Sequence, residues 1–288
     1  MIILQSAISG ALAGGLFALM AVGLSLSWGM LRIINLAHFG MILLSGYLTY
    51  ELTTSLRIDP ILTVVVTAPL MFAIGAALQW GFQVRRVSEF NSLLVSFGLL
   101  IVTVQLITNY WSADFRRLAP DVNRYATQSL SIGPLAFPTP TLIAFVFAAA
   151  IVLAGYLAIQ RTYPGRALRA FAQDRGIAAA FGIDHARLAI VLAGAAGSTA
   201  AVAGMLFAIE GTLTPGAAFE WVGIVFAVVI IGGVGNIIGT FMAGALVMMA
   251  AGVVSVVWSP AAAPFVVFSA IVAALLFRPR GLFARGGG

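Results

Sequence analysis

Long apolar runs without a single charged residue govern what this 288-residue chain can fold into. Between charges they cover 1–31, 33–50, 60–84, 90–113, 125–160, 188–209 and 221–277. A bilayer core takes about 20 helical residues per crossing, so most of these runs cross once. The last, at 57 residues, has room for three short crossings. Only 8% of the residues are charged and 61% are hydrophobic, against about 25% charged in a soluble domain. The fold class that follows is all-α: a polytopic helical membrane protein, one domain over 1–288.

Turn chemistry divides the longer runs. Gly232-Gly233-Val234-Gly235-Asn236 and Trp258-Ser259-Pro260 are the expected breaks within 221–277. Pro134, Pro138 and Pro140 keep the start of 125–160 out of regular helix and place the span near 141–160. Nine crossings result, within a range of eight to ten, since a re-entrant hairpin in 221–277 would change the count. The first Arg follows the first apolar run instead of preceding it, so that run reads as a retained helix and not as a cleaved signal peptide.

Charge gives the direction. If residues 161–187 are cytoplasmic and the spans alternate, the inside holds Arg32, Arg85, Arg86, Arg161, Arg166, Arg169, Arg175, Arg187, Arg278, Arg280 and Arg285. The outside holds only Arg57, Arg116, Arg117 and Arg124. That is a strong positive-inside bias, with the N-terminus outside and the C-terminus inside. The Arg residues lie between apolar runs and form no single patch, which argues against nucleic acid as a partner and for the lipid bilayer.

Several chemistries are excluded. The chain has no Cys and all 15 basic residues are Arg. A phosphate-binding loop that needs Lys, a Schiff-base lysine and a thiolate nucleophile or metal ligand are all impossible. Gly233-Val-Gly235 with Gly239 misses the dinucleotide-loop spacing. His38 and His185 are too isolated for a metal site, and no catalytic constellation is expected. Small residues at intervals of four (Gly10 and Gly14; Ala196, Ala200, Gly204 and Ala208; Gly235 and Gly239) read as helix-packing seams.

Two backbone breaks at membrane depth have polar or glycine-rich character: Asn35 to His38, and the turn through Gly232, Gly233 and Gly235. Such breaks are tolerated where they face protein or a water-filled cavity. Asn35 and His38 therefore line a path or gate, or bond helix to helix; the residues alone leave both open. The 27-residue loop 161–187 is expected to hold a short amphipathic helix after Tyr163-Pro164-Gly165, with Arg166, Arg169 and Gln173 on one face and Leu168, Phe171 and Ala172 on another. Gly176 interrupts it, Gly182 suits a helix end and Asp184 the N-cap of the next span. This helix either lies on anionic lipid or is a docking element for a cytoplasmic partner.

The string from Gly165 through Arg166, Arg169, Ala170 and Asp174 to Gly182 and Asp184 resembles the cytoplasmic coupling loop of permeases from bacterial branched-chain amino-acid ABC importers. Asn35-Leu-Ala-His38, Ala203-Gly-Met-Leu206 with Thr214-Pro215-Gly216, and the double-glycine turn at Gly232 agree with it, over almost the whole chain. The family commonly has Gly after the histidine, where this chain has Phe39. The resemblance implies a multi-pass inner-membrane permease that binds no cofactor, ATP and Mg being held by partner ATPase subunits. It further implies a second permease subunit, identical or different, and a periplasmic substrate-binding protein. Arg166, Arg169 and Asp174 are then expected to meet the ATPase, and Glu210, Pro215 and Glu220 to lie toward the binding protein. A secondary transporter or channel for a small polar solute is the alternative, but it usually carries ionisable groups at the midplane.

Overall fold

The computed structural model describes residues 1–278 and 281–283; Arg280 and Arg285 lie outside the described residues. Long helices form where the apolar runs stand. They are α1 (Ile2–Leu26), α2 (Ala37–Leu56), α3 (Val64–Val84), α4 (Glu89–Trp111), α5 (Thr139–Arg161), α8 (His185–Glu210), α9 (Ala217–Gly232), α10 (Ile237–Val257) and α11 (Ala262–Phe277). Two shorter helices, α6 (Tyr163–Gln173) and α7 (Arg175–Ala180), occupy the loop between α5 and α8. Among the described residues, six helical segments are long and apolar enough to cross a membrane: Ile2–Leu31, Pro60–Val84, Glu89–Trp111, Thr139–Arg161, His185–Glu210 and Ile237–Val257. The helices α9 and α11 are apolar but shorter.

Local chemistry sets the boundaries. Ser88, Asp184 and Asn236 cap α4, α8 and α10, each side chain accepting from a backbone N–H three residues on. A π-helical turn, Ser27–Leu31, extends α1 and ends at Arg32 in the left-handed conformation (φ 59°). Pro140 falls in the first turn of α5, where its missing N–H costs nothing. That helix starts at Thr139, two residues earlier than the sequence suggests. Ahead of it, Ser129–Ile132 (β1) and Leu135–Pro138 (β2) form an antiparallel hairpin in register Ser129 to Pro138.

The helices pack through small residues, as expected where lipid supplies no hydrophobic drive for association. Gly10 and Gly14 of α1 lie against the backbone of α10: a Cβ at Gly14 would fall 2.6 Å from Ala245 Cα. On α8, Ala196, Ala200 and Ala208 are buried, Gly204 touches Gly46 of α2, and Gly197 meets Met71 of α3. The second half of α1, most of α2 and much of α8 are buried, forming the centre of the bundle. This is why α2 can carry His38, Ser45, Tyr47 and Thr49 inside an apolar environment. By contrast, α3, α4 and α5 are mostly exposed and apolar.

Long helices an odd number of places apart in the chain run antiparallel: Ser6 and Gly14 of α1 meet Gly252 and Gly244 of α10, and Ala68 and Gly75 of α3 meet Ser198 and Ala193 of α8. One end of the bundle therefore collects Arg32, Arg85, Arg86, Arg161, Arg166, Arg169, Arg187 and Arg278 with α6 and α7. The opposite end holds the β-hairpin and Arg57, Arg116, Arg117 and Arg124.

Candidate functional site at the arginine-rich end

The helix α6 turns back sharply onto α5. Thr162 caps it, its hydroxyl accepting from Gly165 N at 3.2 Å, and Pro164 occupies the first turn. Gly165 is required by the close approach, because a Cβ there would meet the backbone of Ala158 and Ile159. Ala167, Leu168 and Phe171 are buried under the helix, and the Phe171 ring stacks on His185 at 5.3 Å. Asp174, not Gly176, breaks the loop helix. It ends α6 and caps α7, accepting from Ile177 N at 2.9 Å, because its short carboxylate competes for free N–H groups; Gly176 lies within the first turn of α7. Gly182 (φ 75°) then closes α7 with bonds from Gly182 N to Ala179 O and Ile183 N to Ala178 O.

The two arginines of α6 point in different directions. Arg166 is exposed and donates to Arg161 O. Arg169 is half-buried and turns back to donate to Gln160 Oε1 at 2.7 Å. It lines a cavity of about 500 Å³ with Tyr156, Gln160, Gly233, Gly235, Asn236 and Phe283. The structure thus brings Arg169 together with the glycine turn, a proximity that sequence spacing did not signal. Ala170 is half-buried beside it and Asp174 is exposed. Three large apolar side chains of this element are exposed: Tyr163 at the start of α6, Ile177 in α7, which the sequence reading did not single out, and Phe181 after it, 82% exposed.

The turn between α9 and α10 is tied on every side. Gly233 and Gly235 hold positive φ (89° and 82°). Gly235 N donates to Ser25 Oγ, which in turn contacts Thr240 Oγ1 at 3.2 Å. A Cβ at Gly29 would fall 2.6 Å from Gly235 N, and one at Gly232 2.5 Å from Thr240 Cα. Asn236 Oδ1 accepts from Gly239 N while its Nδ2 donates to Phe283 O, so the end of the described chain is laced to the turn.

Asn35 and His38 do not join this cavity. Asn35 Oδ1 accepts from Ala37 N and starts α2. His38, 2% exposed, has Nε2 3.0 Å from Met20 O; a carbonyl only accepts, so Nε2 carries the proton. A Cβ at Gly23 would sit 2.5 Å from both His38 Cε1 and Thr199 Oγ1, which places His38 at the crossing of α1, α2 and α8. Its surroundings are those of a helix-to-helix bond. Among the described residues no group of His, Asp or Glu could hold a metal.

At the opposite end, Glu210 is half-buried and accepts from Thr141 Oγ1 at 2.7 Å, Pro215 is buried, and Glu220 is exposed on the first turn of α9. The segment before the hairpin folds over them. Arg116 pairs with Leu213 as an antiparallel bridge, and Asn123 Nδ2 donates to Ile209 O at 3.0 Å. Arg57 with Asp121, and Arg124 with Asp59, pin its surface.

Comparison with known proteins fits this architecture. The chain is 25% identical over 295 residues, 98% of its length and 96% of theirs, to the high-affinity branched-chain amino acid transport system permease proteins BraD of Pseudomonas aeruginosa and LivH of Escherichia coli K12. LivH of Salmonella typhimurium matches to the same extent. No solved structure matches significantly. Residues 6–277 match the family described as branched-chain amino acid transport system / permease component. With nearly the whole chain aligned and apolar helices throughout, this protein belongs to that family of membrane permease components.

Proposed function

We propose that this chain is the permease subunit of an ATP-driven importer for branched-chain or closely related amino acids in the bacterial inner membrane. Nine helices cross the bilayer, with the N-terminus outside and the arginine-rich end in the cytoplasm. The observation that carries the reading is the α6–α7 element. One side of it is locked to α5 through Gly165 and the Arg169–Gln160 bond and shares a cavity with the glycine turn, while Tyr163, Arg166, Ile177 and Phe181 are exposed. An element clamped below and bare above suits transmission of force from a docked partner.

The partner is an ATPase, because a chain without lysine has no Walker-type loop and is itself no enzyme. ATP and Mg sit on that subunit. Its movement would press on α6 and, through Arg169 and Gln160, on the α9–α10 turn. A periplasmic binding protein would deliver the amino acid at the hairpin end, where Glu220 is free for contact and Glu210 and Pro215 shape the turn beneath it. The coupling loop thus consists of Gly165, Arg166, Arg169, Ala170, Asp174 and Gly182, extended by Ile177 and Phe181.

Reconstitution in vesicles with the ATPase and binding protein tests this directly. ATP-dependent uptake of leucine, isoleucine or valine is expected, with no ATP hydrolysis by the chain alone. A Phe181→Ser, Ile177→Ser variant should insert normally and lose most uptake. Full uptake by that variant, or uptake by the single polypeptide without ATPase, overturns the reading.

A further inference from the structure

The cavity enclosed by α5, α6 and the α9–α10 turn carries a positive charge with nothing to balance it. Arg169 is the only charged residue in its wall, and no carboxylate of the described residues lines it. The other arginines with described side chains at this end of the bundle are exposed, where water solvates them. Arg169 is half-buried, and its Nε is closed off from solvent with no hydrogen-bond partner among the described residues. Its remaining bonds go to a neutral neighbour: Nη1 donates to Gln160 Oε1 at 2.7 Å, and Nη2 lies a long 3.5 Å from Gln160 O. A guanidinium offers five N–H donors, so most of its capacity is unused. Withdrawing such a cation from water without a counter-charge is costly.

The same wall holds further donors without acceptors. The helix α10 begins there. Its cap, Asn236, satisfies Gly239 N, but the N–H groups of Ile237 and Ile238 have no partner among the described residues. The positive end of a 21-residue helix therefore faces the same side as the guanidinium. Tyr156, also in the wall, has its hydroxyl unbonded among the described residues. Gly233 and Gly235 add no side chains to fill the space. A cavity of about 500 Å³ with a fork of charged donors and no acceptor of matching charge suits an oxyanion, and phosphate fits a guanidinium best.

The way out of the cavity selects the source of that phosphate. Ile238 and Met242 belong to the wall, yet are 41% and 46% exposed, and Leu246 continues their row one turn on. At four-residue intervals they form an apolar strip about 12 Å long at 1.5 Å per residue, leading from the arginine-rich end toward the middle of α10. A free phosphate has no use for such a strip, whereas a phosphate attached to an acyl chain uses both parts. We infer that this cavity binds the headgroup phosphate of an anionic phospholipid, with an acyl chain laid along Ile238, Met242 and Leu246. Phosphatidylglycerol brings one uncompensated negative charge to Arg169; phosphatidylcholine carries its own cation and does not. The inference takes from the permease reading only that α5 and α10 cross the bilayer.

Native mass spectrometry of the full chain in detergent, titrated with phosphatidylglycerol or phosphatidylcholine, tests this. One phosphatidylglycerol per chain is expected to be retained in preference to phosphatidylcholine. Arg169→Gln should weaken that retention about tenfold, and Arg161→Gln, at an exposed arginine of the same end, should leave it unchanged. Two readouts keep Arg169 in place. The thermal midpoint of the unaltered chain should rise with phosphatidylglycerol and not with inorganic phosphate at the same concentration. In this cysteine-free chain, phosphatidylglycerol should slow maleimide labelling of Met242→Cys several-fold more than phosphatidylcholine does. Equal retention of the two lipids, equal losses from the two arginine variants, an equal rise with inorganic phosphate, or equal labelling of Met242→Cys in both lipids would overturn the inference. None of these readouts involves transport: selective lipid retention without uptake defeats the function reading alone, and uptake without it defeats the lipid site alone.

Discussion

At the residue scale, contacts separate side chains that look equivalent in the sequence. His38 is 2% exposed at a three-helix crossing, and its Nε2 bond to Met20 O ties α2 to α1. Replacing it with Ala removes a buried bond and leaves a cavity, at a cost of about 2–4 kcal/mol. The expected result is a lower thermal midpoint in detergent with the KM for uptake unchanged; a shifted KM at an unchanged midpoint would put His38 on the path instead. Glycines divide in the same way. Gly29→Ala drives a methyl into the Gly235 backbone and should destabilise by about 1–3 kcal/mol. Gly81→Ala, with nothing within 4 Å, should be neutral or stabilising by up to about 1 kcal/mol, as alanine is the better helix former. Paired thermal melts of these two variants check the contrast.

At the scale of elements, the sequence showed the long helices well because in lipid an apolar run between charges has few options other than helix. It showed the packing seams of α1 and α8 as well, whereas Gly235, read with Gly239 as another seam, sits in the α9–α10 turn at φ 82°. What it hid was tertiary or hidden by composition. The hairpin Ser129–Ile132 with Leu135–Pro138 sits in an apolar, proline-rich stretch that reads as an interrupted span, although Ser/Leu/Ser/Ile alternation and Gly133 at φ 60° are its signature. The inward turn of Arg169 could not be read from a helical wheel, which sets it beside Arg166; only the groove made by α5 and the glycine turn draws it in. The segment that bridges to the hairpin is held unequally. Asn123 donates inside the protein to Ile209 O, and Asn123→Ala should cost about 1–3 kcal/mol by stranding that carbonyl. The Arg57–Asp121 pair is exposed on both sides, so Asp121→Asn should leave the thermal midpoint nearly unchanged, as such pairs contribute about 0–1 kcal/mol.

For the whole molecule, the alternating helices and the sorting of arginines to one end are independent observations that must agree if the bundle spans a bilayer. The first is geometric, fixed by contacts such as Ser6 with Gly252. The second is compositional: eight arginines with structurally described side chains gather at the α6–α7 end, against four at the hairpin end. Cells place arginine-rich loops in the cytoplasm, so the two together support the proposed topology of nine crossings with α6 and α7 inside. Single cysteines in this cysteine-free chain read the result out. Phe181→Cys, 82% exposed on the loop after α7, should react with a membrane-impermeant maleimide only after the membrane is opened. Asp121→Cys, on the bridging segment, should react in intact cells. Labelling of position 181 from outside would invert the bundle and take α6 and α7 away from the cytoplasm, where the proposed ATPase would dock. Labelling of both positions from the same side would require an even number of crossings between them, against the single crossing, by α5, of the proposed topology.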